Sequence, residues 1–122
     1  MSSTVQQLTA DQTLVAREIA AGRLTPEQAE TDSRRSVLLQ CIGASPVVEP
    51  DFVAGDIQAG ATYMICSDGF RHKISNDEIM SKIGPAACGT EAEMEDGCKF
   101  LTELVKYRKE TDNITVVLIK TE

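Results

Sequence analysis

Apolar positions along the chain recur in two rhythms, a helical one near each end and a strand-like one between and after them. Leu14, Val15 and Ile19, with Ala16, Ala20 and Ala21, share one helical face that stops at Gly22, and Thr9-Ala10-Asp11 offers capping chemistry ahead of it. A second, short helix is predicted to about Thr31, with Thr25 as cap, Pro26 in the first turn and Gln28 completing a capping box. Ser75 and Glu78 form the same kind of box over Ser75 to Met80, which Gly84-Pro85 ends. A long helix is expected from about Glu91 to Arg108, burying a stripe of Met94, Cys98, Leu101, Leu104 and Val105, with Lys106, Arg108 and Lys109 at its negative end.

The strand-like segments are shorter. Tyr63-Met64-Ile65-Cys66, bounded by Gly60 and Ser67-Asp68-Gly69, reads as a buried strand that delivers Asp68 at its tip. Ile114 to Ile119 is β-branched and follows Asp112-Asn113, which sits at its mouth. Val37 to Ile42 suits either a strand or a buried helical turn. Val47 to Asp56, next to Pro46 and containing Pro50, reads as an edge or bulged strand, because proline cannot donate to a ladder. Met1 to Leu8 is an edge strand or a frayed end. The 122 residues suffice for one domain over 1–122.

If the two strands are neighbours, Asp68 and Asp112 converge at one end of a sheet. Two hard oxygen donors at one spot suit Mg²⁺ or Mn²⁺. Each aspartate taken singly is ordinary turn chemistry. His72, between Arg71 and Lys73, reads as an exposed histidine with no catalytic part.

Charge narrows the partners. A net charge of −7 argues against nucleic acid as a partner, since phosphate backbones want a basic face, and it implies that a phosphorylated substrate needs metal ions to offset repulsion. Cys41, Cys66, Cys88 and Cys98 make no CxxC pair, so free, mostly buried thiols in a reducing compartment are expected. No apolar run approaches the ~20 residues that span a bilayer, and Met1 to Ala10 lacks a signal-peptide pattern, so a cytoplasmic location is expected.

Four ordered signals carry a resemblance: Leu8-Thr9-Ala10-Asp11-Gln12-Thr13 before a helix, Ile42-Gly43 after the basic link, Cys66-Ser67-Asp68-Gly69-Phe70, and Asp112-Asn113-Ile114-Thr115-Val116. In that order and spacing they resemble the second half of the metal-dependent serine/threonine protein phosphatases of type 2C, the PPM family. The resemblance implies an α+β fold, a partial PPM-type β-sandwich of antiparallel strands flanked by helices, without the family's N-terminal half. It implies that Asp68 and Asp112 ligate Mg²⁺ or Mn²⁺, with Gly69 and Asn113 as supporting backbone, and that metal-activated water attacks phosphoserine or phosphothreonine in a phosphoprotein. Residues 22–36 would be a flap-like segment, with Arg34 or Arg35 reaching substrate phosphate.

The family's first half supplies further acidic ligands and a general-acid histidine, and Gln12 stands where the family usually has histidine. The chain's metal site is therefore expected to be incomplete, no catalytic residue is assigned within it, and turnover by the chain alone is expected to be weak or absent. The rival expectation is a non-catalytic interaction or regulatory module, which pairs with itself as a homodimer or with a complementing N-terminal half through its open sheet.

Overall fold

The computed structural model describes residues 4–122, which gather into two compact units: 7–55, and 56–122 together with the described residues up to Gln6. The expectation for Met1–Leu8 falls partly outside the described residues, and residues 4–8 form no strand.

In the unit 7–55, helix α1 (Leu14–Ala20) begins one residue after Thr13, whose Oγ1 accepts from the Ala16 N–H at 3.2 Å. The cap is thus Thr13 and not the predicted Thr9 to Asp11. The reason is a pairing that sequence periodicity does not show. Thr13 forms an isolated antiparallel bridge with Leu38, flanked by Leu14 N–H to Val37 O at 2.9 Å and Leu39 N–H to Gln12 O at 3.0 Å. That bridge holds the backbone extended through Thr13, so the helix starts only beyond it. Helix α2 (Pro26–Glu30) carries the expected box: Gln28 N–H donates to Thr25 Oγ1 at 3.2 Å, and Thr25 N–H to Gln28 Oε1 at 2.9 Å. Val15 and Ala29 are buried.

Two expectations fail here. Val37 to Ile42 is neither a strand nor a buried helical turn; beyond the bridge at Leu38 it is irregular, and Ile42 is 88% exposed. Val47 to Asp56 forms no strand, and Phe52 is 91% exposed. The side-chain amide of Gln40 takes the place of a partner strand, accepting from Glu49 N–H and donating to Glu49 O, both at 2.7 Å. With both polar groups of Glu49 satisfied and Pro50 unable to donate, nothing drives a ladder. Cys41 in this unit is exposed, against the expectation of mostly buried thiols.

In the unit that contains 56–122, strand β1 (Thr62–Cys66) pairs antiparallel with β2 (Val116–Lys120), in a register running from Thr62 opposite Lys120 to Cys66 opposite Val116. Between them come α3 (Asp68–Arg71), α4 (Asn76–Ile83), a 3₁₀ turn at Pro85–Ala87 and α5 (Glu91–Tyr107). Ser75 and Glu78 form the α4 capping box, and Thr90 caps α5. The core is Phe70, Ile79, Ile83, Cys88 and Leu101, with Val105 also fully buried; Met94, Cys98 and Leu104 of the predicted stripe pack against it. Each such buried aliphatic or aromatic side chain contributes about 1.5–3 kcal/mol.

Strand alternation splits the pair into two faces. Met64, Cys66, Val116 and Leu118 pack on the helical core. Ile65, Val117 and Ile119 point the other way and are 65%, 50% and 48% exposed. The architecture is α+β, with helices on one side of an antiparallel pair and an open apolar face on the other.

Helices α4 and α5 approach closely where Gly97 meets the end of α4. A Cβ on Gly97 would collide with the Lys82 carbonyl oxygen and come within 2.8 Å of Ile83 Cγ2. At its C-terminus α5 is closed by Lys109 at φ 70°, with Glu110 N–H bonded to Val105 O at 3.2 Å and Lys109 N–H to Lys106 O at 3.0 Å.

Candidate metal site

The site residues sit where β1 and β2 end together. Beyond Cys66 and Val116 the backbones stay joined, Ser67 N–H donating to Thr115 O at 3.0 Å. Asp68 is not at a bare strand tip, because the chain turns into α3 and makes Asp68 its first residue. Phe70, two residues on, is buried in the core and anchors the turn.

Gly69 brings the two motifs together. A Cβ there would collide with the Asn113 carbonyl oxygen and lie 3.3 Å from Asp112 Cβ, so only glycine lets the Asp68-Gly69 step lie against Asp112-Asn113. The Ser67 hydroxyl spans the same gap, donating to Asn113 O at 3.1 Å and accepting from Thr115 N–H at 3.0 Å. Asp112 Oδ1 accepts from Asn113 N–H at 2.8 Å, which fixes that side chain over its own turn. Arg71 Nη2 lies 3.5 Å from Asp68 Oδ1, and both side chains are partly exposed.

The structure thus brings together four of the predicted residues, Asp68, Gly69, Asp112 and Asn113. Arg34 and Arg35 lie in the other unit. Arg34 is engaged by Asp32, its Nε and Nη2 donating to the two carboxylate oxygens at 3.1 and 3.0 Å, which raises the pKa of Arg34 and lowers that of Asp32. Arg35 Nη1 donates to the Asp32 carbonyl oxygen at 3.4 Å. Gln12 joins a polar network instead, donating to Asp51 Oδ2 at 3.0 Å and accepting from Gln40 Nε2. His72 is half exposed, 3.8 Å from Glu110.

Two aspartates on backbone segments this close bring hard oxygen donors of the kind a divalent cation takes, an ion that binds through one or two carboxylates and keeps several waters. Among the described residues no group of three or more His, Cys, Asp or Glu is placed to hold a metal ion. Sequence reasoning passed over Ser67, which has the character of a helix cap but makes no cap hydrogen bond. Its signal was a hydroxyl immediately before the Asp-Gly step.

What fold and site define is an α+β chain that sets two aspartates beside one end of an antiparallel strand pair. No family model matches the chain. A 2C-type protein phosphatase of Streptococcus pyogenes is 35% identical over 115 residues, covering 94% of this chain and 45% of that protein. The protein phosphatase PhpP of Streptococcus pneumoniae is 32% identical over 113 residues, covering 93% and 44%. The solved serine/threonine phosphatase of Streptococcus agalactiae superposes with a TM-score of 0.81 at 32% identity, over 96% of this chain and 46% of that one. The Mycobacterium tuberculosis phosphatase PstP gives 0.75 at 30%, over 96% and 47%. In sequence and in fold the chain is similar to serine/threonine protein phosphatases of type 2C. It spans a little under half the length of the relatives it matches. Among the described residues no helix is long and apolar enough to cross a membrane.

Proposed function

We propose that this chain supplies part of the metal site of a serine/threonine protein phosphatase, with Asp68 and Asp112 as ligands to Mg²⁺ or Mn²⁺ and a cytoplasmic phosphoprotein as substrate. One observation carries the reading: the backbone of Gly69 lies directly against Asp112 and Asn113, so the two Asp-bearing turns form a single structure. A divalent cation bound there would supply Lewis acidity and offset phosphate charge, which counts for a chain of net charge −7. The chain's own groups do the positioning. Asp68 and Asp112 provide the donors, the Gly69 and Asn113 backbones fix their separation, and residues 22–36 form a flap-like segment carrying Arg34 and Arg35 as candidates for substrate phosphate.

Two carboxylates hold such an ion weakly, so turnover by the chain alone is slight or absent. The test is p-nitrophenyl phosphate hydrolysis with Mn²⁺ beside Mn²⁺ titration of the wild type, Asp68→Asn and Asp112→Asn. Binding that both substitutions weaken, without appreciable turnover, supports the reading. Binding unchanged by both overturns the ligand assignment, and robust turnover overturns the claim of low activity.

A second reading, a non-catalytic module that pairs with itself or with a complementing half, is favoured by the open face of Ile65, Val117 and Ile119. Light scattering separates the two readings, since a strictly monomeric, well-folded chain counts against pairing.

A further inference from the structure

We infer that Ser67 is a positioning residue for the metal site, resting on the assignment of Asp68 and Asp112 as its ligands. Ser67 occupies the N-cap position of α3 in the extended conformation a cap requires, φ −79° and ψ 165°, yet its hydroxyl makes no cap hydrogen bond. The caps of α1, α2, α4 and α5 all use theirs, through Thr13, Thr25, Ser75 and Thr90. A cap hydroxyl diverted from its own helix leaves an N–H of α3 without that partner, so the diversion needs a compensating role.

That role is on the opposite strand. The hydroxyl donates to Asn113 O at 3.1 Å and accepts from Thr115 N–H at 3.0 Å, while Ser67 N–H donates to Thr115 O at 3.0 Å. Three hydrogen bonds therefore tie the residue before Asp68 to the segment just after Asp112. The Asn113 carbonyl oxygen held by Ser67 is also the atom against which Gly69 packs. Ser67 and Gly69 thus fix one atom from two sides, one by attraction and one by close approach, and the separation of the two Asp-bearing turns follows. Removing the hydroxyl leaves Asn113 O and Thr115 N–H free to re-pair with water, and the Asp112 turn can drift from α3. Groups one step behind a metal's ligands set its affinity in this way, typically by 10–100-fold.

The experiment titrates Mn²⁺ alone into the 122-residue chain, wild type, Ser67→Ala, Ser67→Thr and Asp68→Asn, by isothermal calorimetry well below each variant's melting temperature. Ser67→Ala is expected to weaken Mn²⁺ binding about tenfold, the low end of that range, with Ser67→Thr restoring most of it because the hydroxyl is kept. Circular dichroism melts run in parallel identify the folded variants. Ser67→Ala that binds Mn²⁺ like the wild type while Asp68→Asn does not overturns the role of Ser67 alone. Weakening that Ser67→Thr fails to restore, in a folded variant, also overturns it. Mn²⁺ binding insensitive to Asp68→Asn, or absent from the wild type, overturns the ligand assignment and this inference with it.

Discussion

Arg108, the cap residue at the end of α5, grips Glu78 in the first turn of α4 with both arms of its guanidinium. Nη1 donates to Glu78 Oε1 at 2.8 Å, Nη2 to Oε2 at 2.7 Å, and Nη1 also reaches Lys73 O at 2.6 Å. Glu78 is the same carboxylate that closes the α4 capping box by accepting from Ser75 N–H at 3.0 Å. One side chain therefore joins the start of α4 to the end of α5.

The Arg108 hydrogen bonds, with the Ser75 N–H second, lower the Glu78 carboxyl from its ordinary 4.5 to about 2. A folded pKa below the unfolded one means that the contribution is fully present above about 4.5 and is lost as pH falls toward 2. Urea midpoints measured across that interval should fall with pH in the wild type, and Glu78→Gln should flatten that part of the profile. Both side chains are partly exposed, so the slope should also shrink in high salt.

Gly97→Ala should destabilise the chain by about 1–3 kcal/mol, although alanine is the better helix former. The added methyl has to displace the Lys82 carbonyl or the Ile83 side chain at the α4–α5 approach. A melting temperature at or above that of the wild type would show that the two helices can part without loss.

Lys109→Gly should have the opposite sign. Lys109 closes α5 at φ 70°, a left-handed conformation that costs a residue with a Cβ about 1 kcal/mol and glycine almost nothing. Denaturant unfolding should show a gain approaching that amount, reduced by glycine's greater freedom when unfolded.

The cysteines should react in order of burial. Desolvation raises the thiol pKa of both Cys88 and Cys98, whereas Cys41 is exposed. Under native conditions at mildly alkaline pH, a thiol reagent followed by peptide mapping should find Cys41 modified well before Cys88 or Cys98. Equal rates would mean that the core around Cys88 opens readily.

Local chemistry was the most readable part of the sequence. The boxes Thr25/Gln28 and Ser75/Glu78 need only residues three apart, and both form as expected. The α5 stripe was readable because its apolar period coincides with real burial, whereas the two strands form where expected but the one read as buried leaves Ile65 65% exposed. Val37 to Ile42 and Val47 to Asp56 were not readable, because an apolar run announces burial without naming what will bury it. Here Ile42 and Phe52 stay exposed, and the Gln40 amide takes the ladder's place at Glu49. The start of α1 was misplaced for a related reason, since the bridge from Thr13 to Leu38 is invisible to a reading of neighbours. At the candidate site the two aspartates were legible as a pattern, whereas the bond across Ser67 depends on strand register.

Antiparallel pairing of β1 with β2 also decides when the aspartates meet. The outer end of the pair joins Ala61 to Thr121, 60 positions apart, so its closure carries an entropy cost that local helix formation in α4 and α5 does not. The helices can form early, while the strand ends that carry Asp68 and Asp112 come together only when the last segment of the chain docks. Any partly folded state that keeps its helices but has released β2 has separated the two carboxylates. Cation binding at this pair would then report on completed folding, and a saturating divalent ion would slow the loss of the C-terminal strand before it slowed the fraying of any helix.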